Sequence, residues 1–182
     1  MNRSTTEATV TGPQWTDVLR TVPGARLRLS LALKPAWREL LQRWLSTRGL
    51  ELEPLEGAAA EVVRLDAQGG LLRLCAASTD IEVELHHGDD GVPALRGRAR
   101  HGSRDWSFDV PRLSLQRAGS REAFVSRTVD GARLPWLKFS HARDGQGFAV
   151  TVFPGAIEAP VSSGWRALLP SAIELLSVRI EA

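Results

Sequence analysis

The sequence predicts an α+β fold: a predominantly antiparallel, curved or half-barrel sheet, one main amphipathic helix at about 35–48 and a short C-terminal helical segment. Three observations lead there. Apolar and polar residues alternate through most of the chain, the period of a half-buried strand. A sustained helical period is clear in one stretch. The alternating runs are separated by Gly-Gly, His-Gly-Ser and Asp-Gly signals at hairpin spacing.

The elements follow in chain order. Residues 1–13 are polar and turn-rich and are expected to be a flexible N-terminus, leaving 14–182 as a single domain. In the strand that opens at Arg26, Leu27, Leu29, Leu31 and Leu33 share one face. Pro35 suits the first turn of a helix, and Trp37, Leu40, Leu41, Trp44 and Leu45 recur at i, i+3, i+4, i+7 and i+8. Gly49 stands at the expected C-terminal cap. Leu50, Glu51, Leu52 and Glu53 resume the alternation before Pro54, so 26–53 reads as strand–helix–strand with a right-handed crossover, and Arg26 and Arg28 are expected opposite Glu51 and Glu53.

Hairpins follow, with 62–67 and 71–77 flanking a Gln68-Gly69-Gly70 turn, a strand carrying Ile81, Val83 and Leu85, and a loop over 86–93. Residues 95–100 place Arg96, Arg98 and Arg100 on one face and Leu95, Gly97 and Ala99 on the other; the rings of Trp106 and Phe108 suit the space over Gly97 and Ala99. Leu113 and Leu115 break parity with Phe108 and Val110, which predicts a bulge or bend near Pro111. Strands are expected at 122–129, 132–141 and 148–153, a short helix within 165–175 and a closing strand at 176–180.

Composition bounds the class. The 182 residues, 43% hydrophobic and 24% charged, are enough for one core without disulfide or metal staples. The N-terminus has no apolar run after its Arg and no segment has the roughly 18 apolar residues of a membrane span, so a cytoplasmic location is expected. The pI of about 9.3 accompanies a net charge of only +2, because the chain has no Tyr and one Cys to titrate above neutrality. Cys75 lies in an apolar run and is expected to be a small core residue.

The common catalytic and nucleotide-binding signatures are missing: no Gly-x-Ser-x-Gly elbow, no phosphate-binding glycine loop, and no His beside the one Cys. No cofactor is implied. His86, His87 and Asp89 carry metal-ligand chemistry, but adjacent strand residues face opposite ways, which favours a solvated loop. Glu82 and Glu84 lie about 7 Å apart on one face, a carboxylate pair better explained by neighbouring Arg side chains. Arg96, Arg98 and Arg100 form the strongest nucleic-acid footprint, with the aromatics out of phase with them. Trp15 and Trp165 are the aromatics least committed by pattern and the expected surface anchors. The leading expectation is a non-catalytic binding or assembly module whose partner is another protein or a second copy. The alternatives are a small-molecule or lipid-binding fold, conceivably enzymatic, with an aromatic-lined cavity under helix 35–48, and nucleic-acid binding through the Arg face.

Overall fold

The computed structural model describes residues 12–157 and 168–181. Its eleven strands are β1 (Arg26–Leu31), β2 (Ala59–Asp66), β3 (Gly69–Ala76), β4 (Thr79–His87), β5 (Pro93–His101), β6 (Arg104–Val110), β7 (Ser114–Ala118), β8 (Glu122–Val129), β9 (Ala132–His141), β10 (Gly147–Val152) and β11 (Ile173–Glu181). Helix α1 spans Trp15–Leu19 and α2 spans Pro35–Ser46, with 3-10 turns at Glu53–Leu55 and Pro154–Ala156.

The strands form one antiparallel sheet in the order β6-β5-β4-β3-β2-β1-β11-β10-β9-β8-β7. All neighbours are consecutive in the chain except β1 and β11, which pair through six positions from Arg26 opposite Glu181 to Leu31 opposite Leu176. The terminal strands β6 and β7 are themselves consecutive, separated only by residues 111–113. A link of that length reaches at most about 14 Å between the last residue of β6 and the first of β7. The sheet therefore curls until its two edges approach, giving a half-barrel. The Leu113 N–H donates to the Pro93 carbonyl at 2.6 Å, and Arg112 pairs with Asp90 at 3.6 Å, so the link is fastened to the beginning of β5.

Helix α1 plugs this closed end. Trp15 Nε1 donates to the His86 carbonyl on β4 at 3.4 Å, while the Arg20 guanidinium reaches the Ser120 carbonyl beyond β7, so the plug spans both halves of the sheet. Trp15, Val18 and Leu19 pack with Leu27, Val62, Leu85, Leu113, Val125, Phe148 and Val178 in a filled core. Farther along the same inward face, Leu74, Val83, Leu137 and Leu176 are only partly buried. One end of the curl is dense and the other is not.

Several expectations are corrected. The protein is mostly sheet, not a balanced α+β fold. Residues 50–53 are not a strand: Leu52 is buried ahead of the 3-10 turn, and β1 is flanked on both sides by antiparallel partners, β2 and β11. No parallel crossover forms, and Arg28 bonds Glu181 at 2.6 Å instead of Glu51 or Glu53. Gly69 and Gly70 belong to β3, where a Cβ on Gly69 would run into the Leu85 carbonyl. The histidines expected in a loop end strand β4. The bend expected near Pro111 is present, with Arg112 at φ 54°, and it marks the passage from one sheet edge to the other. Cys75 is exposed, because inward Leu72 and Leu74 turn it outward beside Asp80. In the expected helix at 165–175, residues 173–175 are strand; 165–167, Trp165 included, lie outside the described residues, as does most of the expected flexible N-terminus.

Candidate functional site: an apolar groove beneath α2

Helix α2 leaves β1 at the loosely filled end of the curl. Lys34 precedes Pro35 in extended conformation, and the proline fits the first turn because its missing N–H has no intrahelical partner there. The helix ends with Gly49 at φ 68°, its N–H bonded to the Ser46 carbonyl and that of Leu50 to the Leu45 carbonyl, which satisfies the last turn. The helical period places Trp37, Leu40, Leu41 and Trp44 on one side, yet no residue of α2 is fully buried.

These four side chains and Leu33 form one wall of a groove that encloses about 200 Å³. The facing wall comes from Val152 at the end of β10, Pro154, Ile157, Leu169, and Ile173 and Leu175 of β11. Val152 pairs with Leu137 and Ile173, in the inward parity of Val150 and Phe148, so the groove opens into the mouth of the half-barrel. The β10–β11 register shifts between Val150 and Thr151, an irregularity of the kind that bends a strand locally. Among the described residues no ionisable side chain lines the groove. Charges stand around its rim: Arg38 pairs with Glu56 at 3.0 Å, Arg43 with Glu39 at 3.9 Å, and the Arg48 guanidinium lies 4.0 Å over the Trp44 ring.

The attachments of α2 to the body include Arg38–Glu56 near its beginning and the Arg104 guanidinium on the Arg48 carbonyl beyond its end. Both are exposed, and exposed contacts of this kind contribute about 0–1 kcal/mol each. Together with the half-buried apolar face, such weak contacts leave α2 loosely held at the mouth.

Two larger depressions, of about 360 and 420 Å³, lie among the charges of β3 to β6 and have a different chemistry. On this outer surface, cross-strand register places Glu84 beside Arg96, Glu82 beside both Arg73 and Arg98, and Asp80 beside Arg100. The contacts are 2.8 Å for Arg96–Glu84, 3.1 Å for Arg73–Glu82, 3.4 Å for Arg98–Glu82 and 2.6 Å for Arg100–Asp80. The guanidinium bonds hold all three carboxyls below their ordinary range: Arg100 for Asp80, Arg73 and then Arg98 for Glu82, and Arg96 for Glu84.

No family model, curated protein or solved structure matches this chain.

The residues singled out from sequence are scattered. Arg96, Arg98 and Arg100 share the outer face of β5 with carboxylate partners, and Trp106 and Phe108 face the other way. The Phe108 ring packs directly over Gly97, where a Cβ would overlap it. Trp15 is 2% exposed, so its placement as a surface anchor is overturned; it fills the core because α1 turns its apolar side into the closed end. His86 and His87, as neighbours on β4, face opposite ways, and among the described residues no three His, Cys, Asp or Glu side chains gather as a metal site. Sequence periodicity found the apolar side of α2 but not its opposing wall, because Val152, Ile173 and Leu175 come together only through the β10–β11 pairing. Among the described residues no helix is long and apolar enough to cross a membrane.

Proposed function

We propose that the protein binds the hydrocarbon part of a small apolar or amphipathic ligand in the groove beneath α2. The observation that carries this reading is the helix itself: an amphipathic helix whose apolar face meets a facing apolar wall without being buried by it. A filled interface at that position would bury Leu40 or Leu41 fully, as Leu27 and Val178 are buried at the other end. Recognition is by exclusion of water, since the described lining residues offer no charge to neutralise a buried ion.

Each methylene removed from water contributes about 0.8 kcal/mol, so eight to ten methylenes supply roughly 6–8 kcal/mol before the cost of association. With at least about 4 kcal/mol taken off for association, affinity of the order of millimolar is expected for a medium-length alkyl chain. Entry requires α2 to shift from the mouth, which its exposed polar attachments permit. The Arg face supports nucleic-acid binding less well, because Arg96, Arg98 and Arg100 already meet carboxylates.

The test uses brominated alkyl alcohols of increasing chain length, whose bromine quenches nearby indoles. Saturable quenching is expected, lost when Trp37 and Trp44 are both replaced by Phe while the chain still binds by calorimetry. Leu41→Asp should abolish binding. Unsaturable quenching, or binding that Leu41→Asp leaves unchanged, refutes the proposal.

A further inference from the structure

The outer charge rows of the sheet stop at an incomplete position. Among the described strands β6 is the last in the order and pairs only with β5. Its register puts Asp109 beside Arg96 and Asp105 beside Arg100. Each of those arginines reaches the other way, to Glu84 and to Asp80 on β4. Two rows therefore alternate acid, base, acid across β4, β5 and β6, and end on a carboxylate at the free edge. Asp105 and Asp109 are exposed, and among the described residues neither makes a direct ion pair, each acting on its neighbouring arginine only through the longer-range field: Asp109 on Arg96 and Asp105 on Arg100. On the inward side of the same strand, Trp106 is half-buried and Phe108 is 37% exposed, the one large aromatic among the exposed hydrophobics of the described residues.

We infer that β6 is a docking edge for an extended basic segment of another protein, which adds a twelfth strand with cations opposite Asp105 and Asp109 and apolar side chains opposite Trp106 and Phe108. The backbone of an edge strand offers unpaired N–H and C=O groups, so hydrogen bonding supplies attachment and the side-chain pairs supply selectivity. Cross-strand partners share a face, and Asp105 and Asp109 lie four positions apart. The partner thus carries the pattern cation, apolar, any residue, apolar, cation. The pattern is the same in both directions, so it fits a parallel or an antiparallel addition.

A second copy of β6 is the wrong occupant. Antiparallel self-pairing centred on Ser107 sets Asp105 of each copy against Asp109 of the other, and like charges directly opposite are unfavourable. The run Arg96, Gly97, Arg98, Ala99, Arg100 has the spacing the edge asks for, and it is already committed to β5 between β4 and β6. A basic segment from elsewhere repeats on the outer side of β6 what β5 supplies on its inner side.

The probe is the capped peptide acetyl-Thr-Lys-Val-Thr-Val-Lys-Thr-amide, compared with the same peptide carrying Glu for Lys, with amide NMR shifts of the full chain as readout. The Lys peptide is expected to move the β6 and β5 amides saturably and to bind about tenfold tighter than the Glu peptide. The double substitution Asp105→Lys with Asp109→Lys should reverse that preference, and Asp105→Asn with Asp109→Asn should erase it. Methylating alternate backbone nitrogens of the peptide should abolish binding by removing ladder donors. The proposal is overturned if neither peptide shifts β6 at about 1 mM, if the shifts fall on another surface, or if the Asn pair keeps the preference of the original protein.

Discussion

Replacing Leu113 and Leu41 by Ala, each in turn, separates the packed end of the half-barrel from its mouth. Leu113 is 1% exposed and sits in the link that joins the two sheet edges, against the α1 plug. Its truncation removes buried carbon and leaves a void that Pro93 and the fastened link cannot close, for a cost of about 3–4 kcal/mol. In a chain of this size that lowers Tm by about 6–16 °C. Leu41 is only half-buried and lines the groove. Its truncation forfeits about 1 kcal/mol of burial and opens no sealed cavity, and Ala favours the helix slightly. The expected Tm shift is therefore about 2–4 °C, with alkyl-chain binding weakened. Thermal and urea unfolding of both variants measure the contrast. Equal destabilisation, or a Leu41 variant that loses as much as the Leu113 variant, would refute the division into a filled and an unfilled end.

Further outcomes follow from individual contacts. Gly97→Ala forces a methyl group against the Glu82 carbonyl and the Phe108 ring; a loss of about 1–3 kcal/mol is expected, with faster hydrogen exchange concentrated in β5 and β6. Trp15→Phe leaves the His86 carbonyl without its indole donor, costing about 1 kcal/mol beyond the lost ring volume in urea unfolding. His141 is buried with its Nε2 unpartnered, and burial, followed by the charges of Arg20 and Arg117, holds its pKa below the ordinary 6.5 against an opposing backbone bond at Val18. The unfolded chain then binds the extra proton more readily, so stability is level above about pH 6.5 and falls as the pH drops from there toward the folded-state pKa. Urea midpoints at about pH 7.5 and about pH 5.5 should differ, and His141→Gln should remove most of the difference. The carboxyls of Asp80, Glu82 and Glu84, held low by arginine, stay charged through that window.

The local alternation of the chain carried much of its architecture. Strands β8 and β9 coincide with the runs 122–129 and 132–141, because the hydrophobic period is unbroken there and Asp130 and Gly131 both take positive φ, at 50° and 76°, in the turn between them. The misread elements are those decided by partners distant in sequence. The alternation from Leu50 to Glu53 resembles a strand, but β1 has no free side to receive it once β11 is in place. Cys75 looked apolar by neighbourhood, although its parity with Arg73 turns it out. Trp15 carried no pattern at all, since a five-residue helix is too short to display a period, and only the curl of the sheet gives it a pocket. For the candidate site, one wall was legible as the apolar side of 35–48 and the other was not. The β6 edge was hidden for the same reason: nothing local to residues 111–113 tells that they bridge two ends of one sheet.

The pairing order has a consequence for how the chain assembles. Strands β1 to β6 form one meander and β7 to β11 another, each made of neighbours in sequence, and the two are joined by the β1–β11 ladder and the short link at 111–113. Hairpins between successive strands close small loops and form early, whereas β1 meets β11 only after nearly the whole chain has been gathered, so that late ladder sets the folding rate. The same geography makes the link a natural cut. A chain opened between Pro111 and Arg112, both exposed, separates into two fragments that each keep their own meander. Mixed together, they have one long zipper, from Leu27 with Ile180 to Leu31 with Leu176, through which to recombine.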